Sequence, residues 1–252
     1  MTSTAFPSAS TILSEVAHRP WPLPPGAWVL AQTWEQLLFA HWRVDPKIVA
    51  PLIPPGLELD TFDGSAWIGV VPFLMNNVHP RGTFNVEGLS RFPELNVRTY
   101  VKRDGKTGVW FLSLDAGSAV AVKIARRLFH LPYYHATMDI YTERGWVQYQ
   151  SERIDGEAAF VAGYRPISEV YRSERGSLDE WLTERYCLYT GDARGNIMRL
   201  DIQHRPWPLQ PAEAKISVNT MVQALKLPDE PPLLHYADRI DVLAWYVNRL
   251  PP

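Results

Sequence analysis

Phe92-Pro93-Glu94-Leu95-Asn96-Val97-Arg98-Thr99-Tyr100-Val101-Lys102 runs through Arg103-Asp104-Gly105 and returns as Val109 to Leu114. From Leu95 to Lys102 the side chains alternate. Val97, Thr99 and Val101 face one way, and Asn96, Arg98 and Tyr100 the other. A period of two is the signature of a strand, and Asp-Gly between two such runs is a tight-hairpin signal. The fold is therefore expected to rest on antiparallel hairpins rather than on strand–helix–strand units.

The neighbouring segments extend this pattern. Ala66 to Phe73, Met138 to Tyr141, Val147 to Gln150, Ala158 to Tyr164, Ile197 to Ile202 and Ile240 to Val247 read as strands, as does the short Leu57 to Asp60. Trp34 to Val44 is an apolar stretch with polar interruptions, Asn76 to Leu89 reads as a loop, and Glu143-Arg144-Gly145 marks a second hairpin. Helices are fewer. Asp45-Pro46 pairs an N-cap with proline at the first helical position, and the helix should stop before Pro54-Pro55-Gly56. Ser118 to Phe129 places Ala119, Val122, Ala125 and Phe129 at helical spacing. Ser177-Leu178-Asp179-Glu180 matches a capping box, with Trp181 to Tyr186 continuing it, and Ser217 to Leu225 reads as a last short helix. His18-Arg19-Pro20-Trp21-Pro22-Leu23 recurs unchanged as His204-Arg205-Pro206-Trp207-Pro208-Leu209. Two extended connectors, each pinning a tryptophan into the core, account for this; the remnant of an internal duplication is the other reading.

Composition bounds the function. Of 252 residues, 46% are hydrophobic and 21% charged, and the net charge is −2 with no basic block, which points away from nucleic acid and anionic membranes. Cys187 is the single cysteine, which fits a reducing compartment, and no spanning segment or leader is read, so a cytoplasmic protein is expected. Ten Trp and 11 Tyr suit strands and the lining of a small-molecule pocket. Residues 1–17, rich in Ser, Thr and Ala, are expected to form a flexible arm, and 18–252 a single domain.

Two stretches resemble the acetoacetate decarboxylase superfamily. One is Trp42-Arg43-Val44-Asp45 followed by Leu52-Ile53-Pro54-Pro55-Gly56-Leu57-Glu58-Leu59-Asp60. The other is Ser113-Leu114-Asp115 with Ala125-Arg126-Arg127-Leu128-Phe129-His130-Leu131-Pro132-Tyr133-Tyr134. Along the whole chain, Phe92 to Val101, Leu131 to Tyr134 and Leu182-Thr183-Glu184-Arg185-Tyr186 resemble the YqjF-like family of bacterial proteins. The resemblance implies an α+β fold, mainly antiparallel β: an acetoacetate decarboxylase-like barrel with a few peripheral helices. It also makes a homo-oligomer an expectation. In that superfamily a lysine of depressed pKa forms a Schiff base with a keto acid. Here Tyr133 and Tyr134 stand at the two adjacent lysine positions, Glu35 falls opposite the family's arginine, and a second glutamate falls near Gly69. Glu94 alone keeps the family's position, and tyrosine cannot form an imine.

The candidate catalytic residues are therefore Glu94, Tyr133 and Tyr134: a carboxylate beside phenols can move a proton if their pKa values are pushed apart. A hydrogen-bonded glutamate at a strand end with packed tyrosines is the structural alternative. Arg98 and Arg126 are candidates to hold a ligand carboxylate through the guanidinium fork, or to form internal ion pairs, and His135 is a third candidate ligand contact. His130 and His135 lack helical spacing and a third partner, so no metal site is expected, and with no Gly-x-Gly-x-x-Gly or phosphate loop in the sequence no cofactor is expected either. Cys187 reads as a buried thiol and Lys123 as a solvated lysine. Three functions follow. The first is an enzyme acting without a Schiff base on a small organic acid or ketone. The others are a non-catalytic ligand-binding protein and a structural or partner-binding protein with a filled barrel.

Overall fold

The computed structural model describes residues 6–84, 90–192, 194–225 and 227–251. Thirteen strands form one sheet: β1 Leu30–Val44, β2 Glu58–Leu59, β3 Ala66–Pro80, β4 Phe92–Arg103, β5 Lys106–Ala116, β6 Tyr133–Glu143, β7 Trp146–Arg153, β8 Ala159–Pro166, β9 Cys187–Gly191, β10 Ile197–His204, β11 Gln210–Asn219, β12 Leu233–Ala244 and β13 Asn248–Arg249. Four α-helices lie among them: α1 Ala9–Ser14, α2 Pro46–Val49, α3 Ala119–Phe129 and α4 Leu178–Thr183. The mainly antiparallel α+β architecture is as expected; among the described residues only the short pairings of β5 with β6 and with β9 are parallel. The hairpins turn where Asp-Gly and Arg-Gly predict. Asp104 and Gly105 have φ of 52° and 73°, and Arg144 and Gly145 of 49° and 80°, the left-handed pair such turns require.

The sheet closes on itself twice. β4 pairs with β5, and β10 pairs with β12. One ring runs β5-β6-β7-β8-β11-β12-β1-β3-β4, and the other β5-β9-β10-β12-β1-β3-β4. Strands β12, β1, β3, β4 and β5 form a wall common to both. The wall forks at its margins. β5 pairs with β9 at Val109–Trp110 and with β6 at Leu114–Ala116, while β12 pairs with β11 near Tyr236 and with β10 at Val242–Ala244.

Strands of a shared wall are covered on both faces, so both parities of side chain are buried. Leu38, Ala40, Trp42, Val70, Leu95 and Val97 pack with Tyr149, Phe160 and Tyr164 and fill the first ring. Leu37, Phe39, Val71, Phe73, Met75 and Phe92 face the second ring with Trp207 and Val242. Bulges keep this sorting in register. Gln36, at φ 52°, lets Trp34 and Leu37 point the same way, and the irregularity opposite Val97–Arg98 does so for Phe111 and Leu114.

Several local expectations hold. Asp45 caps α2 through Lys47 N at 2.8 Å with Pro46 at the first position, and Ser118 caps α3 through Ala121 N at 3.3 Å. Ser177 caps α4, but that helix ends at Thr183 rather than continuing to Tyr186. Others are corrected. In the stretch expected to be a flexible arm, residues 9–14 form α1, and its Ile12 is buried against Ala31, Leu243 and Trp245; residues 1–5 lie outside the described residues. Asn76–Pro80, expected in a loop, completes β3, and residues 85–89 of that loop also lie outside the described residues. Ser217–Asn219 belongs to β11 rather than to a helix, because Ile216 and Val218 pair with β8 across a bulge; only Gln223–Leu225 makes a 3-10 turn. The repeated segments lie against each other. His18 Nε2 is 2.9 Å from His204 O, and Arg19 donates to Ile202 O and the Gln203 side chain at 2.7 Å each. Trp207 is buried in the second ring, whereas Trp21 is half-buried beside Leu57 and Tyr189. Each copy anchors its tryptophan, as connectors do.

Candidate functional site

The second ring is hollow. It holds a cavity of about 550 Å³, which removes the filled barrel from the alternatives. Its long axis follows β4, whose even-numbered residues Phe92, Glu94, Asn96 and Arg98 all line it. Opposite them on β3 stand Met75, Phe73, Val71 and Gly69 in register. Trp34 and Leu37 of β1, Phe111 and Leu114 of β5, Leu188 of β9, Ile202 of β10 and Trp207 supply further apolar wall. Helix α3 covers one side with Ala121, Ile124, Ala125 and Phe129.

Glu94 is 4% exposed, and Tyr133 Oη donates to its Oε2 at 2.9 Å. A second phenol, Tyr149, donates to the Glu94 backbone carbonyl at 2.7 Å and fixes the strand from the filled ring. Burial pushes the Glu94 carboxyl up to about 8; the hydrogen bond from Tyr133 offsets part of that rise, and the nearby Asp115 adds to it. The same burial, with Glu94 alongside, holds the Tyr133 phenol well above its ordinary range. At neutral pH both groups therefore carry protons. In that form a carboxyl can give a proton rather than take one, the reverse of the base that a glutamate beside phenols first suggests.

Arg98, 8% exposed, lies four residues deeper on the same face. Its Nη2 donates to Leu182 O at 3.3 Å, and its guanidinium lies 5.1 Å from the Phe39 ring centroid and 5.6 Å from that of Tyr100. Nε has no hydrogen-bond partner, nor has Asn96 Oδ1, and among the described residues no carboxylate pairs with Arg98. Arg185, also at the cavity, differs in having a carboxylate partner, although its Nη2 is left without a hydrogen bond. It pairs with Asp60 at 2.7 Å and donates to Trp181 O at 2.6 Å. Below Arg98, Tyr100 Oη donates to Leu182 O at 2.9 Å and lies 2.6 Å from His41 Nε2, so that nitrogen carries the imidazole proton. Burial, with Arg98 nearby, keeps His41 well below its ordinary pKa and hence neutral. Gly69 makes this packing possible: a Cβ there would lie 3.1 Å from the His41 ring and 3.3 Å from Arg98 Cγ. The position near which the resemblance sets a second glutamate is thus filled by the stems of other residues.

Tyr134, Arg126, His135 and Lys123 do not line the cavity. Tyr133 and Tyr134 are consecutive in β6 and so point to opposite faces. Tyr134 lies outside, with the Arg153 guanidinium 3.8 Å from its ring centroid. Arg126 is exposed and donates to the Tyr133 backbone carbonyl at 2.5 Å, and His135 is exposed. Lys123 is exposed on α3, as its spacing predicted. Cys187 does line the cavity, but burial pushes its thiol up to about 12, which leaves no thiolate. Asn96, Arg185, His204 and Trp207 were not read as site residues. Arg185 lies in Leu182 to Tyr186, a phrase that carried the family likeness without showing which side chain turns inward. Burial lowers the His204 imidazole to about 4, so it too is neutral.

Residues 31–241 match the DUF2071 family, described as an uncharacterized conserved protein. The chain belongs to the DUF2071 family. It is also 50% identical over 230 residues to the uncharacterized protein YqjF of Bacillus subtilis (strain 168), covering 90% of this chain and 95% of YqjF. Solved structures place this DUF2071 chain in a wider fold group. Acetoacetate decarboxylase from Legionella pneumophila superposes with a TM-score of 0.60 at 13% identity, covering 100% of this chain and 98% of that one. An acetoacetate decarboxylase-like enzyme from Sphingomonas wittichii RW1 gives 0.61 at 14%, covering 92% and 97%. The enduracididine biosynthesis enzyme MppR, complexed with the condensation product of pyruvate and imidazole 4-carboxaldehyde, gives 0.63 at 11%, covering 90% of each. At these identities the DUF2071 chain shares their fold, and its chemistry has to be argued from its own cavity. Among its described residues no helix is long and apolar enough to cross a membrane.

Proposed function

We propose that the cavity takes a small organic acid or keto acid, holds its carboxylate at Arg98 and presents the Glu94–Tyr133 pair as a proton donor, without a Schiff base. The observation that carries this reading is Arg98: a buried guanidinium at a largely apolar cavity, with no carboxylate paired to it among the described residues. An uncompensated buried charge costs on the order of several kcal/mol, and a bound carboxylate accepting from its free Nε would offset that cost. Asn96 Oδ1 is left to accept from a donor on the same ligand. A protonated Glu94 supports the assignment, because it adds no negative charge to repel an acid. No lysine lines the cavity among the described residues, which supports chemistry by proton transfer rather than by an imine. Pyruvate chemistry in the fold neighbour MppR is in keeping with a keto acid here.

The test uses 7-oxooctanoate and its amide as probes, an acid long enough to reach from Arg98 toward the Glu94–Tyr133 pair. Calorimetry should show the acid binding at least tenfold more tightly than the amide, with the preference lost in Arg98→Met. Proton NMR in deuterium oxide should show enzyme-dependent exchange next to the carbonyl, as Glu94 gives its proton to the carbonyl oxygen and the carboxylate so formed takes one from the adjacent carbon. Glu94→Gln should abolish this exchange while keeping acid binding within a few-fold. Equal binding of acid and amide would sink the carboxylate site. Binding without exchange in the wild type would leave a ligand-binding protein in place of an enzyme.

A further inference from the structure

We infer that the ligand class is an elongated amphiphilic monocarboxylate of about eight to twelve carbons, its head at Arg98 and its apolar chain leading past Glu94 to the mouth under α3; this spacing argument uses the strand rise of about 3.3 Å per residue. The inference rests on the carboxylate reading of Arg98 and adds a length and an orientation to it. Glu94 and Arg98 share one face of β4 four residues apart, so their backbones are separated by about 13 Å. An acid of three or four carbons held at Arg98 cannot also reach the Glu94–Tyr133 pair. On β4 only Asn96 lies on this face between the two anchors, much of the remaining lining is apolar, and a cavity of about 550 Å³ exceeds the need of a short keto acid.

The mouth points the same way. Phe84 is 90% exposed, Val120 48% and Ile124 49%, and all three line the opening of this cavity. Val120 and Ile124 are one helical turn apart on α3, where a side chain without a core role would ordinarily be polar, as Lys123 and Arg127 on the same helix are. An acyl chain leaving the cavity would cover these side chains and remove their apolar surface from water.

The experiment is a titration series by calorimetry at pH 7 with butanoate, hexanoate, octanoate and decanoate, kept below micelle-forming concentrations, with decanol as the headless control. Affinity should rise about fourfold per added methylene and level off once the chain passes the mouth. Ile124→Gln, at a half-exposed position that folding tolerates, should weaken decanoate severalfold and leave butanoate unchanged. A flat series, with butanoate as tight as decanoate, would overturn the elongated class while the carboxylate site stands. Decanol as tight as decanoate, decanoate binding unchanged in Arg98→Met, or no acid binding at any length would overturn both.

Discussion

Glu94 shows what a single side chain contributes. Its carboxyl, ordinarily near 4.5, is raised to about 8 chiefly by burial. A carboxyl raised in the folded state stabilises the fold in its neutral form. That contribution is complete below about pH 4.5 and is lost as pH rises through about 8. Glu94→Gln keeps the shape and the acceptor for Tyr133 and cannot ionise. It should therefore match the wild type in urea unfolding at pH 4.5 and exceed it by about 3–5 kcal/mol at pH 8.5. Parallel curves across that range would contradict the burial argument. Asp115, pushed up to about 6 by burial despite its 2.9 Å pair with Arg153, remains in both proteins and cancels in the difference. Glu94 was singled out in the sequence because it keeps the family's position, and Arg98 because a charged residue in a half-buried strand needs a partner. Tyr134 was grouped with them because the tyrosine pair stands at the two lysine positions of the resemblance, and Arg126 and His135 lie close to that pair along the chain. Strand geometry separates Tyr133 from Tyr134 by the thickness of the sheet, and no local motif says which of the two turns inward.

At the scale of elements, the hairpins and the capped helices were legible because turn and cap chemistry is local. The polar parity of β4 was legible too, but its meaning was not. Asn96, Arg98 and Tyr100 alternate as a solvent-facing row would, and they face a cavity and its floor instead. Helix α1 was missed because six residues bearing one large buried aliphatic side chain leave no periodicity to read, and a helix so short forms only where it docks. Its Ile12 is 1% exposed, so Ile12→Ala should cost about 2–5 kcal/mol in denaturant unfolding. A loss under 0.5 kcal/mol would mean the segment is the free arm its composition suggests. The Gln203 side chain donates to Ile12 O at 3.1 Å and to Glu15 O at 3.0 Å, so this helix also steadies β10 behind the cavity wall.

Across the whole molecule, one wall of strands serves two rings, one filled and one hollow. The antiparallel class was readable from hairpins, and the barrel from family likeness. The double closure was not, because it depends on β10 meeting β12 and β5 meeting both β6 and β9, pairings between segments far apart in sequence. That closure makes the cavity and keeps water from its carboxyl. The central claim is that the hollow ring presents Glu94 to its ligand as a neutral acid. It is tested most directly by following the carboxyl carbons of carbon-13-labelled glutamate by NMR as pH is raised, with Glu94→Gln to assign the resonance. The account predicts a resonance titrating near 8 that is missing from the variant. A Glu94 midpoint near 4.5 would mean a hydrated, charged carboxylate, and the proton-donor role would fall with it.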